Sequence, residues 1–202
     1  PKGTSMILHT QPKTFVIALK NHKISESQVH DCLSSATKLA WKVEVFWGVN
    51  GRTIIDSDWE RIGVTPLINK PTMHKPGVRG CFFSHWFLWN KCIELQEPII
   101  ILEHDSIILK PWEPLPIGDQ LIKLHRHYKK KRINIDDDSG HWTPSAHAYC
   151  LLPTHATRLI NFARNIGGFE ADRMIGHLVL PYTHTEPCVV DRQNTHSTTN
   201  KL

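Results

Sequence analysis

The stretch from Glu97 to Ile108 constrains the fold of this chain more than any other. Its uninterrupted aliphatic run, residues 99–102, predicts a strand buried on both faces, as in a parallel sheet. Glu103 and Asp105 follow the run directly, with His104 between them. Because open α/β sheets bind ligands at the carboxyl ends of their strands, we expect the functional site at the end of this strand.

The two carboxylates are two residues apart, so in an extended chain Glu103 and Asp105 point to the same side. Two oxygen ligands with an imidazole nearby can hold a divalent cation, and the cation can in turn hold a phosphate group. A charged exit from a strand into a solvated loop explains the same spacing equally well. The motif alone therefore leaves both interpretations open.

Two further strands and a helix are predicted before this motif. Residues 14–19 and 43–47 are apolar runs, and between them a helical pattern follows a capping box formed by Ser25 and Gln28. A strand, a helix and a strand in this order form a βαβ unit. The predicted fold class is therefore α/β, with a mostly parallel central sheet flanked by helices.

The rest of the chain adds a few more predicted elements. Residues 52–78 are expected to be irregular because of their prolines, and a helix with a buried aromatic stripe (Phe82, Trp86, Trp89) follows from Arg79. We expect these aromatic side chains to pack in the core, with sugar stacking by one tryptophan as the alternative. A strand over 147–152, a helix capped by Thr154 and a short strand over 177–180 complete the pattern.

Length and charge restrict the class of protein. A chain of 202 residues with 40% hydrophobic residues favours one well-buried domain over residues 1–202. The formal net charge of +5 favours an anionic partner, such as nucleotide phosphates, nucleic acid or acidic glycans. Residues 123–132 carry six Lys and Arg residues, and we interpret residues 122–140 as a mobile charged loop. The alternative is a contact with an anionic acceptor through Lys129, Lys130, Lys131 and Arg132.

The cysteines and the apolar runs bear on localisation. The five cysteines are scattered without a CxxC pair, which favours buried, reduced thiols and argues against a cysteine-based zinc site. No run approaches the roughly 18 apolar residues of a membrane span, and the first ten residues lack the apolar core of a signal peptide. A cytoplasmic protein is expected, with a polar C-terminal tail over residues 183–202.

Three blocks of the sequence together resemble glycosyltransferase family 25. They are Pro76–Trp89, which contains Gly-Cys-Phe-Phe-Ser-His, then Ile99–Asp105, and then Ala146–Tyr149 before a helix. That family contains bacterial lipooligosaccharide galactosyltransferases and is similar to collagen galactosyltransferases. Residues 180–187 and 194–198 also resemble its C-terminal elements, so the resemblance extends over nearly the whole chain.

The resemblance implies a GT-A-like, Rossmann-type domain that binds Mn²⁺ or Mg²⁺ and a nucleotide sugar, most simply a UDP-sugar. Glu103 and Asp105 match the outer acids of the family's Glu-Asp-Asp motif, while His104 departs from its central Asp. Asp172 matches the acidic loop and is the expected catalytic base, with Glu170 second. The other expected site residues are His184 or His196 as metal ligands, and Ser84 and His85, with His104, as donor contacts.

The predicted function is therefore metal-dependent, inverting transfer of a sugar to a hydroxyl acceptor, most simply a glycan or lipooligosaccharide. Transfer onto hydroxymethylated bases of DNA is an alternative, which the basic run would suit. A relative that binds glycan or nucleic acid without catalysis is a second alternative, suggested by His104. Ser84 and His85 could equally well serve only to tie their helix to the sheet.

Overall fold

A seven-stranded sheet lies at the centre of the computed structural model, which describes residues 6–67, 72–125, 145–176 and 179–191. From one edge to the other the strands are β3 (Val43–Trp47), β2 (Lys13–Ala18), β4 (Ile99–Glu103), β8 (Ala148–Leu151), β7 (Leu121–His125), β9 (Tyr182–Asp191) and β5 (Ser106–Ile108). Two further strands, β1 (Met6–Leu8) and β6 (Leu115–Ile117), pair with each other in an antiparallel ribbon.

Five α-helices are described beside the strands: α1 (Lys23–Lys38), α2 (Asp56–Ile62), α3 (Pro76–Leu95), α4 (Pro153–Ile166) and α5 (Ala171–Met174). A 3₁₀ turn over Gly51–Thr53 follows β3. The predicted helices before β3, before β4 and after β8 are confirmed. Within the described residues, no helix has the length and hydropathy of a membrane span.

The prediction of a mostly parallel sheet is wrong, because only half of the strand pairs are parallel. β3, β2 and β4 run parallel, and so do β7 and β9. The pairs β4–β8, β8–β7 and β9–β5 are antiparallel. Parallel neighbours require a crossover, which α1 provides between β2 and β3. In the described residues between β4 and β8 there is no such helix, and β8 returns against β4.

Both faces of β4 are covered, which explains its unbroken aliphatic run. Ile99 and Ile101 pack in the core that contains the side chains of α3 and α4, whereas Ile100 and Leu102 pack against α1. All four side chains are fully buried. The alternation continues to Glu103, whose side chain therefore points to the α3 face of the sheet.

The aromatic stripe of α3 packs in the core, as the sequence predicts. Phe82, Trp86 and Trp89 are at most 2% exposed, and Trp59 of α2 stacks on Phe82 with ring centroids 5.1 Å apart. These three rings are therefore not available to stack on a sugar. Burial of each large apolar side chain stabilises the fold by about 1.5–3 kcal/mol.

Two glycines allow α3 to approach the end of β3 closely. A Cβ atom on Gly51 would lie 1.6 Å from the carbonyl oxygen of Pro76, and one on Gly80 would lie 2.5 Å from that of Val49. Neither distance leaves room for a methyl group. The amino-terminal part of α3, which carries Cys81 and His85, is thereby held against the carboxyl edge of the sheet.

Several local predictions are corrected by the structure. Helix α1 begins at Lys23, so Ser25 lies inside it, and the predicted capping box is replaced by His22, whose ring accepts the amide of Ser25. The Ser25 hydroxyl instead accepts the amide of Leu19 at 2.8 Å, tying the helix to β2. Residues 56–62, expected to be irregular, form α2, because their prolines all lie after the helix.

Two segments expected to be polar and peripheral contribute strands instead. The first four residues of the predicted loop over 122–140 belong to β7, and Lys123 there is fully buried. The predicted tail begins inside β9, which pairs with β7 and β5. The short strand expected over 177–180 is not formed at 179–180, where the chain turns before β9. Residues 126–140, 177–178 and 192–202 lie outside the described residues.

Candidate functional site

The site is assembled at the carboxyl end of β4, where four elements meet the Glu103 side chain. Helix α3 lies over it on one face, and Asp105 follows in the turn between β4 and β5. Because β8 is antiparallel to β4, the residue just before β8, His147, lies beside the end of β4; its carbonyl accepts the amide of Glu103 at 2.8 Å. The short helix α5 brings Asp172 to the same place.

Glu103, Asp105 and His147 form a compact set of metal-binding groups. His147 Nδ1 lies 3.1 Å from Asp105 Oδ1 and 3.9 Å from Glu103 Oε2. One potential ligand atom of each of the three residues lies within 4.8 Å of the other two. Carboxylate oxygens with one imidazole suit Mn²⁺ and similar divalent cations.

Ser106 orients the imidazole of His147. The Ser106 hydroxyl donates to the carbonyl of His147 at 3.2 Å, so its oxygen is left to accept from His147 Nε2, 3.3 Å away. A proton on Nε2 turns the lone pair of Nδ1 toward the Asp105 carboxylate. In this tautomer Nδ1 can act as a ligand beside the Asp105 carboxylate, and second-shell contacts of this kind orient metal-binding histidines. The residues therefore fit a divalent cation.

Glu103 remains ionised in this environment. Burial pushes the pKa of its carboxyl up, but the neighbouring imidazoles of His147 and His85 hold the pKa well below its ordinary value. An ionised carboxylate is the form that binds a cation. The structure thus keeps Glu103 ready to act as a ligand.

On the α3 side, His85 and Cys81 approach Glu103. His85 Nε2 lies 3.8 Å from Glu103 Oε1, and Cys81 Sγ lies 3.9 Å from the same oxygen. The other nitrogen of His85, Nδ1, is 2.8 Å from the hydroxyl of Tyr149, which also accepts from Trp89 Nε1 at 2.9 Å. Tyr149 and Trp89 thereby fix the orientation of the imidazole ring.

Asp172 has the opposite electrostatic character to Glu103. Burial and the negative charge of Glu103 raise the pKa of Asp172 to about 6, although His85, Lys123 and a backbone hydrogen bond from Ala146 act against that rise. Two neighbouring carboxyls whose pKa values are driven apart are typical of a site that divides its tasks between them. Glu103 is suited to hold a cation, and Asp172 is suited to exchange a proton near neutral pH.

Lys123 is a buried cation in the same region. Its ammonium lies over the ring of Tyr182, 4.1 Å from the centroid, and burial lowers the pKa of Lys123 to about 8 although Asp172 acts in the opposite direction. A positive charge that faces Asp172 favours the ionised carboxylate. Lys123 therefore acts against the rise in the pKa of Asp172.

Removing that charge should move the acid limb of the pH–rate profile. In Lys123→Met the pKa of Asp172 should rise above about 6, so activity should be lost at a higher pH than in the wild type, while activity near pH 8 should change less. The measurement is the initial rate between pH 5 and pH 9. Lys38→Met, at an exposed position of α1, is the control. An unshifted acid limb in Lys123→Met would show that the two groups are not coupled.

The remaining predicted residues lie at different places. Glu170 accepts a hydrogen bond from Thr72 and lies 3.7 Å from Arg173 Nε, so its carboxylate is engaged outside the cation group. The Ser84 hydroxyl accepts the amide of Val49 and donates to the carbonyl of Gly80, which ties α3 to the end of β3. These contacts are the ones expected if Ser84 serves only to tie its helix to the sheet.

The predicted histidines are divided among three positions. His104 lies in the turn after β4, partly exposed. His184 lies on β9, where its Nδ1 is 3.2 Å from the carbonyl of His125; it belongs to neither of the metal-binding groups found among the described residues. His196 and the predicted acceptor contacts Lys129, Lys130, Lys131 and Arg132 lie outside the part of the chain that the structure describes.

Sequence reasoning did not assign site roles to His147, Lys123 or Cys81. In a parallel sheet the start of the next strand lies at the opposite edge. Only an antiparallel β8 places His147 beside Glu103. The signal for Cys81 was available, because Cys81 and His85 are four residues apart on a predicted helix and share a face. Lys123 was hidden in an apparent charge run.

Comparison with known proteins bears on the first half of this site. The sequence model of glycosyltransferase family 25, described as LPS biosynthesis protein, matches residues 11–115, which is just over half of the 202-residue chain. The matched range contains Cys81, His85, Glu103 and Asp105. It ends before β7, and so before the other groups of the site.

A curated relative from Aedes aegypti, named "Glycosyltransferase 25 family member", is 31% identical to the chain over 114 residues. The aligned region covers 50% of the chain and 19% of the relative. The match thus spans about a fifth of the length of that protein.

Proposed function

The chain belongs to glycosyltransferase family 25, and from that premise we propose that it transfers a sugar from a nucleotide-sugar donor to a hydroxyl group, with inversion at the anomeric carbon. The observation that carries the proposal is the group of Glu103, Asp105 and His147 at the carboxyl end of β4, with Asp172 close by. It combines a site for a cation with a separate proton acceptor.

The donor is proposed to lie where the order of the strands reverses. From β2 the chain adds β3 on one side and β4 on the other, so the crevice at the carboxyl ends of β2 and β4 is the topological switch point. Glu103 lies at this crevice. This local arrangement supports a GT-A-like domain, although three of the six strand pairs of the sheet are antiparallel.

Glu103, Asp105 and His147 would hold Mn²⁺ or Mg²⁺. When bound, a divalent cation neutralises negative charge on the departing nucleoside diphosphate. Asp172 takes the proton of the acceptor hydroxyl, whose oxygen forms the new bond to the anomeric carbon as the bond from that carbon to the phosphate oxygen breaks. Lys123 keeps Asp172 ionised before the reaction, and Ser106 holds the imidazole of His147.

A glycan acceptor is proposed on the basis of the family. A polyanionic acceptor such as hydroxymethylated DNA is the second candidate, because the formal net charge of the chain is +5. The two differ in salt dependence: transfer to a polyanion should fall steeply between 50 and 200 mM salt, whereas transfer to a neutral glycan should not. A relative that only binds would instead show no turnover with any donor.

The donor class can be identified by thermal denaturation of the full chain with nucleoside diphosphates and nucleotide sugars, each with Mn²⁺ and with EDTA. A ligand at about 100 times its Kd stabilises the folded state by about 2.7 kcal/mol, which raises the melting temperature by about 5–10 °C in a protein of this size. We expect such a shift with uridine nucleotides in Mn²⁺ and its loss in EDTA. A folded protein that shows no metal-dependent shift with any nucleotide would contradict the proposal.

A further inference from the structure

A second group of potential metal ligands shares Glu103 with the first. It consists of Cys81 and His85, four residues apart on one face of α3, together with Glu103. Cys81 Sγ and His85 Nε2 lie 3.9 and 3.8 Å from Glu103 Oε1. In a tetrahedral zinc site the corresponding ligand atoms are about 3.3–3.5 Å apart, so these two distances would have to shorten by about 0.5 Å.

The environment of His85 is a second, independent observation that points to a ligand. Its side chain is fully buried, and within the described part of the chain Nε2 has no hydrogen-bond partner. The other ring nitrogen is held by Tyr149 at 2.8 Å, and the tyrosine oxygen can accept from Nδ1–H. That arrangement leaves the Nε2 lone pair directed at the space between Cys81 and Glu103. A buried polar atom without a partner carries a cost that a bound cation would remove.

The three donor types differ from those of the neighbouring group. A thiolate, an imidazole and a carboxylate favour a borderline-soft cation such as Zn²⁺, whereas two carboxylates and an imidazole favour Mn²⁺ or Mg²⁺. Cys81 and Glu103 are both partly exposed, so the group is open to an entering ion. Binding would release the thiol proton of Cys81 to the solvent.

We propose that Cys81, His85 and Glu103 form a second metal site, selective for Zn²⁺ and similar thiophilic cations, whose occupation competes with the first site. Cys81 and His85 face Oε1 of Glu103 and His147 faces Oε2, so the competition arises because two neighbouring divalent cations would repel each other across one shared negative charge. The second metal site goes beyond the proposed glycosyl transfer. Only the expected effect of zinc on activity rests on the proposed function. Zinc would then act as an inhibitor of the manganese-dependent reaction.

Cobalt is the spectroscopic probe for this site, since Co²⁺ takes zinc sites and absorbs in the near ultraviolet when a thiolate binds it. Titration of the full chain with Co²⁺ should produce a thiolate-to-metal charge-transfer band that saturates at one equivalent and is displaced by Zn²⁺. The band should be lost in Cys81→Ser and retained in His147→Gln, which alters only the first site. Far-UV circular dichroism checks that each variant is folded. Cys81→Ala is a second variant that removes the thiol.

The competition is measured separately by the EPR signal of free Mn²⁺. One equivalent of Zn²⁺ should weaken Mn²⁺ binding to the wild type at least tenfold, and Cys81→Ser should remove most of that effect. Absence of the charge-transfer band in folded wild-type protein, or its persistence in Cys81→Ser, would overturn the proposal. Since neither readout requires sugar transfer, a failure here is distinct from a failure of the proposed function.

Discussion

Replacement of Asp172 by asparagine should lower the rate of sugar transfer by two to four orders of magnitude and at the same time stabilise the folded protein. The loss of rate follows from the loss of the proton acceptor, because general base catalysis contributes factors of about 10²–10⁴. Asparagine has nearly the same shape and can still accept the backbone hydrogen bond from Ala146. Binding of the donor should therefore change little.

The gain in stability follows from the direction of the pKa shift. The pKa of Asp172 is raised from 3.8 to about 6 on folding, so the folded state binds the proton more tightly than the unfolded state. Ionised Asp172 thus costs stability above about pH 6, and this cost declines as the pH falls from 6 toward 3.8. At pH 7 the variant should be more stable by about 1–3 kcal/mol, and below pH 4 the difference should vanish.

Two measurements check this prediction: the turnover number at saturating donor, and urea denaturation in EDTA at pH 7.5 and pH 4. Glu170→Gln is the matched control, since the Glu170 carboxylate is engaged with Thr72 and Arg173. If Asp172→Asn were fully active and Glu170→Gln inactive, the proton acceptor would be Glu170. If neither stability nor activity changed, Asp172 would have no part in the site.

Replacement of Asp105 by asparagine should have a different signature, with both metal binding and donor binding impaired. The side chain loses the charge that lies 3.1 Å from His147 Nδ1 and that attracts the cation. We expect Mn²⁺ affinity to fall by at least about tenfold to a hundredfold, as for other groups that support a metal site. The metal-dependent shift in melting temperature with a nucleotide should disappear, and activity should fall below about 1% of the wild type.

The contrast with Asp172→Asn is the informative part. Loss of an interaction made only during the reaction lowers turnover, whereas loss of a ligand lowers binding as well. Glu94→Gln, at an exposed position of α3, controls for removal of one negative charge. Retention of the full nucleotide shift in Asp105→Asn would show that Asp105 is not a ligand.

The first half of the fold was predictable because its elements are local. In each of β2, α1, β3 and α3 the spacing of the apolar residues fits one type of secondary structure. The run in β4 is aliphatic because helices cover both of its faces. The carboxyl end of β4 is where Glu103 and Asp105 were expected to lie. That inference needed only the direction of one strand.

The second half was not predictable in the same way, because strand direction there depends on long-range pairing. Nothing in the short apolar run of β8 distinguishes a parallel from an antiparallel neighbour, yet that choice decides whether His147 lies beside Glu103 or at the far edge of the sheet. In the same way Lys123 belongs by sequence to a basic run, but β7 buries it between β8 and β9. Charge pattern alone gives no signal of that burial.

The proposed function depends most on a cation held by Glu103, Asp105 and His147, and the most direct test is pulsed EPR of Mn²⁺ bound to the full chain with uridine diphosphate. We predict electron spin echo modulation from one directly coordinated histidine nitrogen, lost in His147→Gln and retained in His85→Gln. Modulation that persists in His147→Gln, or that is absent from wild-type protein with bound Mn²⁺, would contradict the proposed cation site.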